Sequence, residues 1–400
     1  MNYIAFFIPL TFLFMLGEHW LLLLLKRKSN YHFNDTVSNI SIGIVERFLN
    51  VSFSLFSIFW FDYLFNHFAL FQFETKWYAW FLLFLLIDFL WYWYHRLGHE
   101  IALFWAFHIV HHQSSTFNLT TATRITILQA FVRILFWSVL PIIGFDPKVI
   151  YLLLLVHGLY SFFTHTEVIG KLGFLENIFI TPSHHRVHHA SNEKYLDKNY
   201  GDVFVFWDKL FHTFQVEEEA PVYGLTKPLG SHSFLWQHFH YLIELYLIMG
   251  STKGVVNKFN VLIATPDVVS EEIQIKAKEL FHIVSNKHKQ ISYRLKYYIL
   301  IQLLVALGIL EWFLISSSID VFGYVYASVL IILTMINCGA LLEKKKWTFF
   351  VEYLRLGFLF MGLLFYSTIE GNSVISVFLV SIITLYYHSF KRIYVRLILC

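Results

Sequence analysis

The chain has 400 residues, of which 57% are apolar, 20% aromatic and only 14% charged, with a formal charge of +3. Ordinary soluble domains carry about 25% charged residues, so this composition excludes a purely water-soluble globule and makes lipid the solvent for part of the chain. The small net charge makes no case for a nucleic-acid partner, and two cysteines, Cys338 and Cys400, supply neither a disulfide framework nor a Cys-based metal site.

A membrane-crossing helix needs about 20 mostly apolar residues. In chain order the candidates are 3–25, 47–69, 76–95, 125–143, 147–165, 297–315, 321–341, 350–369 and 373–390, which predicts an all-α integral membrane protein of eight to nine spans. The first run has no small-residue cleavage site and is interrupted by Glu18-His19, so it reads as a retained helix rather than a signal peptide. Asp62 and His67 fall inside the outer end of the second. Between the fourth and fifth, Gly144-Phe145-Asp146-Pro147 is a turn sequence that predicts a hairpin. Lys26-Arg27-Lys28, Lys344-Lys345-Lys346 and Lys391, Arg392 and Arg396 mark three cytoplasmic ends, whereas 316–320 and 370–372 carry no Lys or Arg. Threading the spans in order then places 95–124 and 166–296 on the cytoplasmic side. Four units result: N-terminal transmembrane helices at 1–75, a unit at 76–216 with nearly every chemically suggestive residue, a cytoplasmic connector at 217–296, and C-terminal transmembrane helices at 297–400. The connector opens on acidic Glu217-Glu218-Glu219 and turns basic near Lys287–Lys296.

Histidine recurs in three blocks: His95-Arg96-Leu97-Gly98-His99, His108-Ile109-Val110-His111-His112 and His185-Arg186-Val187-His188-His189. On an α-helix, residues at i, i+3 and i+4 share a face, so each block presents two or three imidazoles in one direction. His165, at the end of the fifth span, falls at the same membrane depth. Nine imidazoles at one level exceed what a single ion uses, since a mononuclear zinc site takes three or four protein ligands; the pattern predicts two ions in a histidine-rich cap on the cytoplasmic face. Imidazole suits Zn, Cu, Fe and Ni alike, so the donors alone leave the metal open. Glu100 points about 100° away from His99 and suits the orientation of an imidazole rather than ligation, and Glu167 and Asp197 are candidates for the same support. His184 suits a supporting or substrate-contacting role. His157 lies two turns deeper and suits either a ligand or a buried, hydrogen-bonded residue, while His212, His232, His238 and His240 lack ligand spacing and suggest solvated or interfacial positions. Trp91-Tyr92-Trp93-Tyr94 suggests anchoring in an interfacial aromatic belt. A metal transporter would instead place its ligands at the bilayer midplane beside broken helices, and three blocks on one face speak against that.

With these blocks the chain resembles the fatty acid hydroxylase/sterol desaturase superfamily, and within it the alkylglycerol monooxygenase branch. The likeness is carried by His95-Arg96-Leu97-Gly98-His99-Glu100, Phe117-Asn118-Leu119-Thr120-Thr121-Ala122, His165-Thr166-Glu167 and Thr181-Pro182-Ser183-His184-His185-Arg186-Val187-His188-His189. It continues through Asp197-Lys198-Asn199-Tyr200-Gly201, Trp207-Asp208-Lys209-Leu210-Phe211 and Val222-Tyr223-Gly224-Leu225-Thr226. One departure is His212, where the branch has Gly. The resemblance implies a fatty acid hydroxylase-like catalytic unit with two Fe ions on His95, His99, His108, His111, His112, His165, His185, His188 and His189, and Glu100, His184 and Asn199 in the catalytic surroundings. It also implies O₂ as oxidant, an alkylglycerol or related ether lipid as substrate (or a sterol or fatty acid elsewhere in the superfamily), and tetrahydrobiopterin as electron donor.

Overall fold

The structure is a computed structural model, and the residues it describes are 4–27, 30–74, 76–283, 291–316, 321–370 and 386–399. Most of the expected span 373–390 lies outside them, as do Lys28, Cys400, Lys287 and nearly all of the two connections at 316–320 and 370–372. The described chain is helical: α1 Ile4–Leu24, α2 Phe33–Phe68, α3 Trp77–Glu100, α4 Ala102–His112, α5 Gln129–Trp137, α6 Val139–Ile143, α7 Pro147–Thr164, α8 Pro182–His188, α9 Phe206–Leu210, α10 Phe234–Ser251, α11 Val255–Ile263, α12 Glu271–Leu280, α13 Tyr293–Ile315, α14 Val321–Leu342, α15 Thr348–Glu370 and α16 Tyr387–Tyr394. Among the described residues β-pairing amounts to two isolated bridges, Phe179 with Phe204 and Ala190 with Tyr223.

Five of these helices, α2, α3, α7, α13 and α14, are long and apolar enough to cross a membrane, which makes the chain a multi-pass membrane protein. The expected 125–143 span is instead two short helices, α5 and α6, meeting at Ser138. Helix α2 begins at Phe33 rather than at 47 because its first half is polar but enclosed by protein: Ser38, Asn39, Ser41 and Glu46 are all buried. Hydropathy is blind to such a helix, since its polar side faces partners and not lipid. The predicted turn forms. Gly144 ends α6 at φ 118°, with Phe71 packed where a Cβ would stand, and Asp146 caps α7 by accepting from the Lys148 N–H at 2.7 Å, with Pro147 in the first turn.

Two apolar cores flank the histidine-bearing segments. One joins α3, α5, α6 and α7 through Leu83, Ile87, Val132, Leu140 and Ile150. The other joins α2 and α4 to the C-terminal helices, with Val45, Ala106, Val110, Leu303, Ile331 and Met335 in contact. Helix α4 therefore has two working faces, since its apolar side packs on α10 and α11 within this core and its histidine side is left for the site.

His212 occupies the left-handed region at φ 61°. That region disfavours a residue with a Cβ by about 1–2 kcal/mol, which accounts for glycine in the related pattern. His212→Gly is expected to raise the unfolding free energy by about 1 kcal/mol, seen as a higher Tm in detergent; an unchanged or lowered Tm would show that the histidine side chain offsets its backbone.

Candidate metal centre

Each histidine block sits on a short rigid element. His95 and His99 lie on the last turns of α3, and His108, His111 and His112 on the last turns of α4. His165 follows α7 directly, its backbone N–H bonded back to Phe162. Helix α8 is a seven-residue helix that forms because its start is well capped: Thr181 and His184 exchange reciprocal capping bonds, and Pro182 fills a first-turn position. It carries His185 and His188, and His189 closes it.

Helix crossing sorts these nine imidazoles into two groups. His95, His99, His108, His112 and His188 bring their ligand atoms within 4.8 Å of one another, and His111, His165, His185 and His189 do the same. The grouping cuts across the sequence blocks, because α4 and α8 each contribute to both. In the first group the Nε2 atoms of His95 and His108 are 3.1 Å apart, those of His108 and His112 3.1 Å, and those of His99 and His112 3.2 Å. In the second, Nε2 separations are 3.2 Å for His111–His165, 2.9 Å for His165–His185 and 3.2 Å for His185–His189.

The opposite ring nitrogens fix the tautomer of four of these rings, among them both members of the His111–His165 pair. His95 Nδ1 lies 2.9 Å from the Tyr200 carbonyl, His111 Nδ1 3.2 Å from that of Arg124, His165 Nδ1 2.7 Å from that of Ser161 and His188 Nδ1 2.9 Å from that of Lys198. A carbonyl can only accept, so each of these imidazoles carries its proton on Nδ1 and turns a bare lone pair inward. Lone pairs facing each other at about 3 Å repel unless a cation lies between them. Ligand nitrogens about 2.1 Å from one ion fall about 3.0–3.4 Å apart when adjacent, for right-angled to tetrahedral bond angles, close to the spacing observed. His188 Nε2 is buried in the first group without a hydrogen-bond partner. Burial, reinforced mostly by neighbouring imidazoles, holds His108, His111, His112, His185, His188 and His189 well below the usual histidine range, and burial takes His165 down to about 4. These seven rings are thus neutral donors, and both groups are free of carboxylates. The residues fit two divalent ions.

Carboxylates stand one layer out. Asp208 accepts from the Tyr200 and Gly201 N–H groups at 2.7 and 2.8 Å and from Thr213 Oγ1 at 2.7 Å. A Cβ on Gly201 would come within 2.8 Å of that carboxylate. Asp88 accepts from the N–H groups of Val203 and Phe204 and from Trp207 Nε1. Asp202 pairs with His157 Nδ1 at 2.7 Å. These three acids fix the 199–208 loop, and that loop presents the Tyr200 carbonyl to His95. His157 and Asp88 also approach each other at 3.9 Å, but Asp88 is already fully engaged by backbone and indole donors, so this group braces the loop.

The other expected residues are placed as follows. Asp197 Oδ1 lies 3.7 Å from His99 Nδ1. Glu100 accepts from Arg96 Nε at 2.8 Å, and this pair turns it along the helix surface rather than onto an imidazole. Glu167 faces Tyr223 and Arg186. Asn199 is fully buried at φ 57°, donating to the carbonyls of His184 and Gln215 and accepting from the Gln215 N–H. His184 caps α8 through Nδ1. His238 and His240 are buried on α10 rather than solvated or interfacial, each bonded through Nδ1 to a carbonyl one turn earlier. The aromatic run also differs from an anchoring belt: Tyr92 and Tyr94 are buried, Tyr92 pairs with Thr213, and Trp91 packs on Trp137.

One residue had no signal in the sequence. Arg124 is 2% exposed and donates to the Val110 carbonyl, Asn39 Oδ1, Gln113 Oε1 and Gln237 Oε1, while its own carbonyl receives His111. It ties α2, α4 and α10 together behind the second group. Aromatic rings complete the walls, with Phe117 stacked on His165 and Tyr223, and Trp105 against His99.

Residues 80–213 match the fatty acid hydroxylase family. The chain is 34% identical to the alkylglycerol monooxygenase of Homo sapiens across 88% of its own length and 81% of the relative's, and 32% identical to that of Xenopus tropicalis across 84% and 77%. It is 31% identical to the ornithine lipid hydroxylase OlsE of Rhizobium tropici across 30% of its own length and 37% of the relative's. No solved structure matches the chain.

Replacing Arg124 by Met removes the guanidinium donor from the buried amide oxygens of Asn39 and Gln237, from half-buried Gln113 and from the Val110 carbonyl. The expected result is a loss of about 2–4 kcal/mol in detergent unfolding and lower metal content, with Arg124→Lys recovering part of both; wild-type stability in the Met variant would remove Arg124 from this bracing role.

Proposed function

The chain belongs to the alkylglycerol monooxygenase branch of the fatty acid hydroxylases, and from that premise we propose that it is a membrane di-iron monooxygenase that uses O₂ to hydroxylate a lipid C–H bond, the substrate being an alkylglycerol or a related ether lipid. The observation that carries this reading is the pair of imidazole groups, five and four strong, with converging Nε2 lone pairs. Zinc, copper, iron and nickel all accept such donors; oxidation by O₂ requires a redox-active ion, and the monooxygenase relatives favour iron. When bound, the iron pair supplies the oxidising power for an unactivated C–H bond.

The rest is the work of this chain. His95, His99, His108, His112 and His188 hold one ion, and His111, His165, His185 and His189 the other. Neutral donors leave the ions their full positive charge. Phe117, Trp105, Tyr200 and Tyr223 exclude water around them. Asn199 and His184 are positioning residues: Asn199 ties the 199–215 loop to α8, and His184 fixes the start of α8, so both set where His185 and His188 point. Glu100 holds Arg96 against the Tyr92 hydroxyl at the rim, where Arg96 Nη1 donates at 3.2 Å. The substrate chain lies between spans with its head at the interface. On an ether carbon, hydroxylation gives a hemiacetal that separates into aldehyde and glycerol. Tetrahydrobiopterin is the proposed electron donor, by likeness to the branch. The distribution of Lys and Arg puts the centre on the cytoplasmic side, with catalysis in 76–216 and the flanking units as anchor, connector and support. A second reading, hydroxylation of a sterol, fatty acid or other lipid without cleavage, draws on the likeness to a lipid hydroxylase.

The division into two groups gives a stoichiometric test. His188→Ala and His111→Ala each remove a ligand from a different ion, so each is expected to abolish turnover and to lower bound metal from about two towards one per chain, with membrane insertion intact. Normal metal content and turnover in either variant would end the di-metal reading.

Substrate class is tested with iron-loaded protein, reduced pterin and O₂. Release of fatty aldehyde from an alkylglycerol is expected. No aldehyde, but hydroxylation of a sterol or fatty acid, moves the assignment to the second reading.

A further inference from the structure

Helix α11 carries an apolar stripe on its outer side. Val255, Val256, Phe259 and Ile263 are 85%, 72%, 58% and 50% exposed, and at 3.6 residues per turn they fall within an arc of about 100°. The opposite side is the one used for packing, since Val261 is buried in the core that contains Ala102, Ala106 and Tyr241. Asn257, Lys258 and Asn260 lie outside the stripe and are exposed, as is Lys253 just before the helix. A soluble helix turns its apolar face inward. This one turns an apolar stripe away from the protein, flanked by polar residues, which is the pattern of a helix lying in a lipid interface.

Its position supplies the occupant. The Ala264 carbonyl, at the end of α11, accepts the Ala102 N–H at 2.7 Å, and the Tyr241 hydroxyl donates to the Pro266 carbonyl at 2.9 Å. Ala102 begins α4, two residues after the membrane-crossing α3 ends at Glu100. The helix is therefore hydrogen-bonded to the chain just past the end of a membrane-crossing helix, and its two lysines match anionic headgroups.

We propose that α11 lies in the plane of the bilayer interface on the side of the histidine groups. Val255, Val256, Phe259 and Ile263 enter the acyl region, and Lys253 and Lys258 lie among the phosphates. Because α11 is hydrogen-bonded to the start of α4, its immersion sets the depth at which α4 presents His108, His111 and His112. The segment expected to be a plain cytoplasmic connector thus holds a lipid contact of its own. This inference does not rest on the reaction assigned above.

The test is a nitroxide scan of residues 255–263, one cysteine at a time, in the full chain carrying Cys338→Ala and Cys400→Ser and reconstituted in nanodiscs of phosphatidylcholine and phosphatidylserine. The ratio of O₂ to nickel-chelate accessibility is expected to oscillate with the helical period. It should peak at Val256, Phe259 and Ile263, at least several-fold above Asn257 and Asn260. A water-like ratio along the whole helix overturns the proposal, and so does dipolar broadening between labels, which would mean that a second copy of the chain covers the stripe. Introducing Phe259→Glu beside a label at position 263 should lower that ratio while bound metal stays constant; an unchanged ratio also counts against immersion.

Discussion

Everything in the described structure that surrounds the two histidine groups follows from one electrostatic constraint. Four of the nine imidazoles commit their protons outward to backbone carbonyls, and two of these, His111 and His165, point their Nε2 lone pairs at one another across 3.2 Å. Such an arrangement is repulsive in isolation and becomes favourable only around cations. It also has to be assembled away from water, because solvated imidazoles would turn outward and take protons. Burial solves both requirements at once by disfavouring the charged ring and blocking competing donors. Burial also makes orientation expensive to lose, since a ring turned by mistake would strand a proton donor in a dry interior.

The scaffold answers mostly with backbone carbonyls, with one carboxylate, Asp197, standing 3.7 Å from His99 Nδ1. Tyr200, Arg124, Ser161 and Lys198 each offer a carbonyl to a ring Nδ1, and a neutral acceptor fixes the tautomer without adding negative charge near the ions. Asp88, Asp202 and Asp208 then act on the loop that carries one of these carbonyls, each through hydrogen bonds to N–H groups or to His157. Negative charge is kept at a distance where it rigidifies a loop without joining the coordination shell. Precision comes from two layers: carbonyls orient the rings, and acids orient the carbonyls.

The three blocks and their common level could be read from the sequence because i, i+3, i+4 spacing is a local property of a helix. Their division into two groups could not. Whether His111 joins His108 or His185 depends on how α4 crosses α8, and crossing geometry leaves no mark in either segment. The same limit explains the other differences. Nothing in the sequence sets Arg124 apart, and only assembly reveals that α2, α4 and α10 each turn an amide or carbonyl oxygen toward it. Tyr92 and Tyr94 share the composition of an interfacial belt, yet protein rather than lipid covers them. The polar half of α2 was invisible to a hydropathy reading for the same reason. Hydropathy sees what faces lipid, whereas this half-helix is held by protein contacts.

That distinction gives the C-terminal helices a physical role despite their lack of chemical groups at the site. Ala102, Ala106, Ile109 and Val110 of α4 share one apolar core with Leu295, Ile299, Leu303, Ile331 and Met335, and α10, which packs on both α4 and α14, links the two sets. Glu343, at the end of α14, receives the N–H groups of His232 and Ser233 and so holds the start of α10, whose Gln237 in turn receives Arg124. An eleven-residue helix such as α4 has little stability of its own, and three of its residues must hold their rings to within a fraction of an ångström. The apolar contact on one face of α4 fixes the azimuth of the other. Residues far along the chain therefore govern ligand geometry through rigid packing, without approaching the imidazoles themselves.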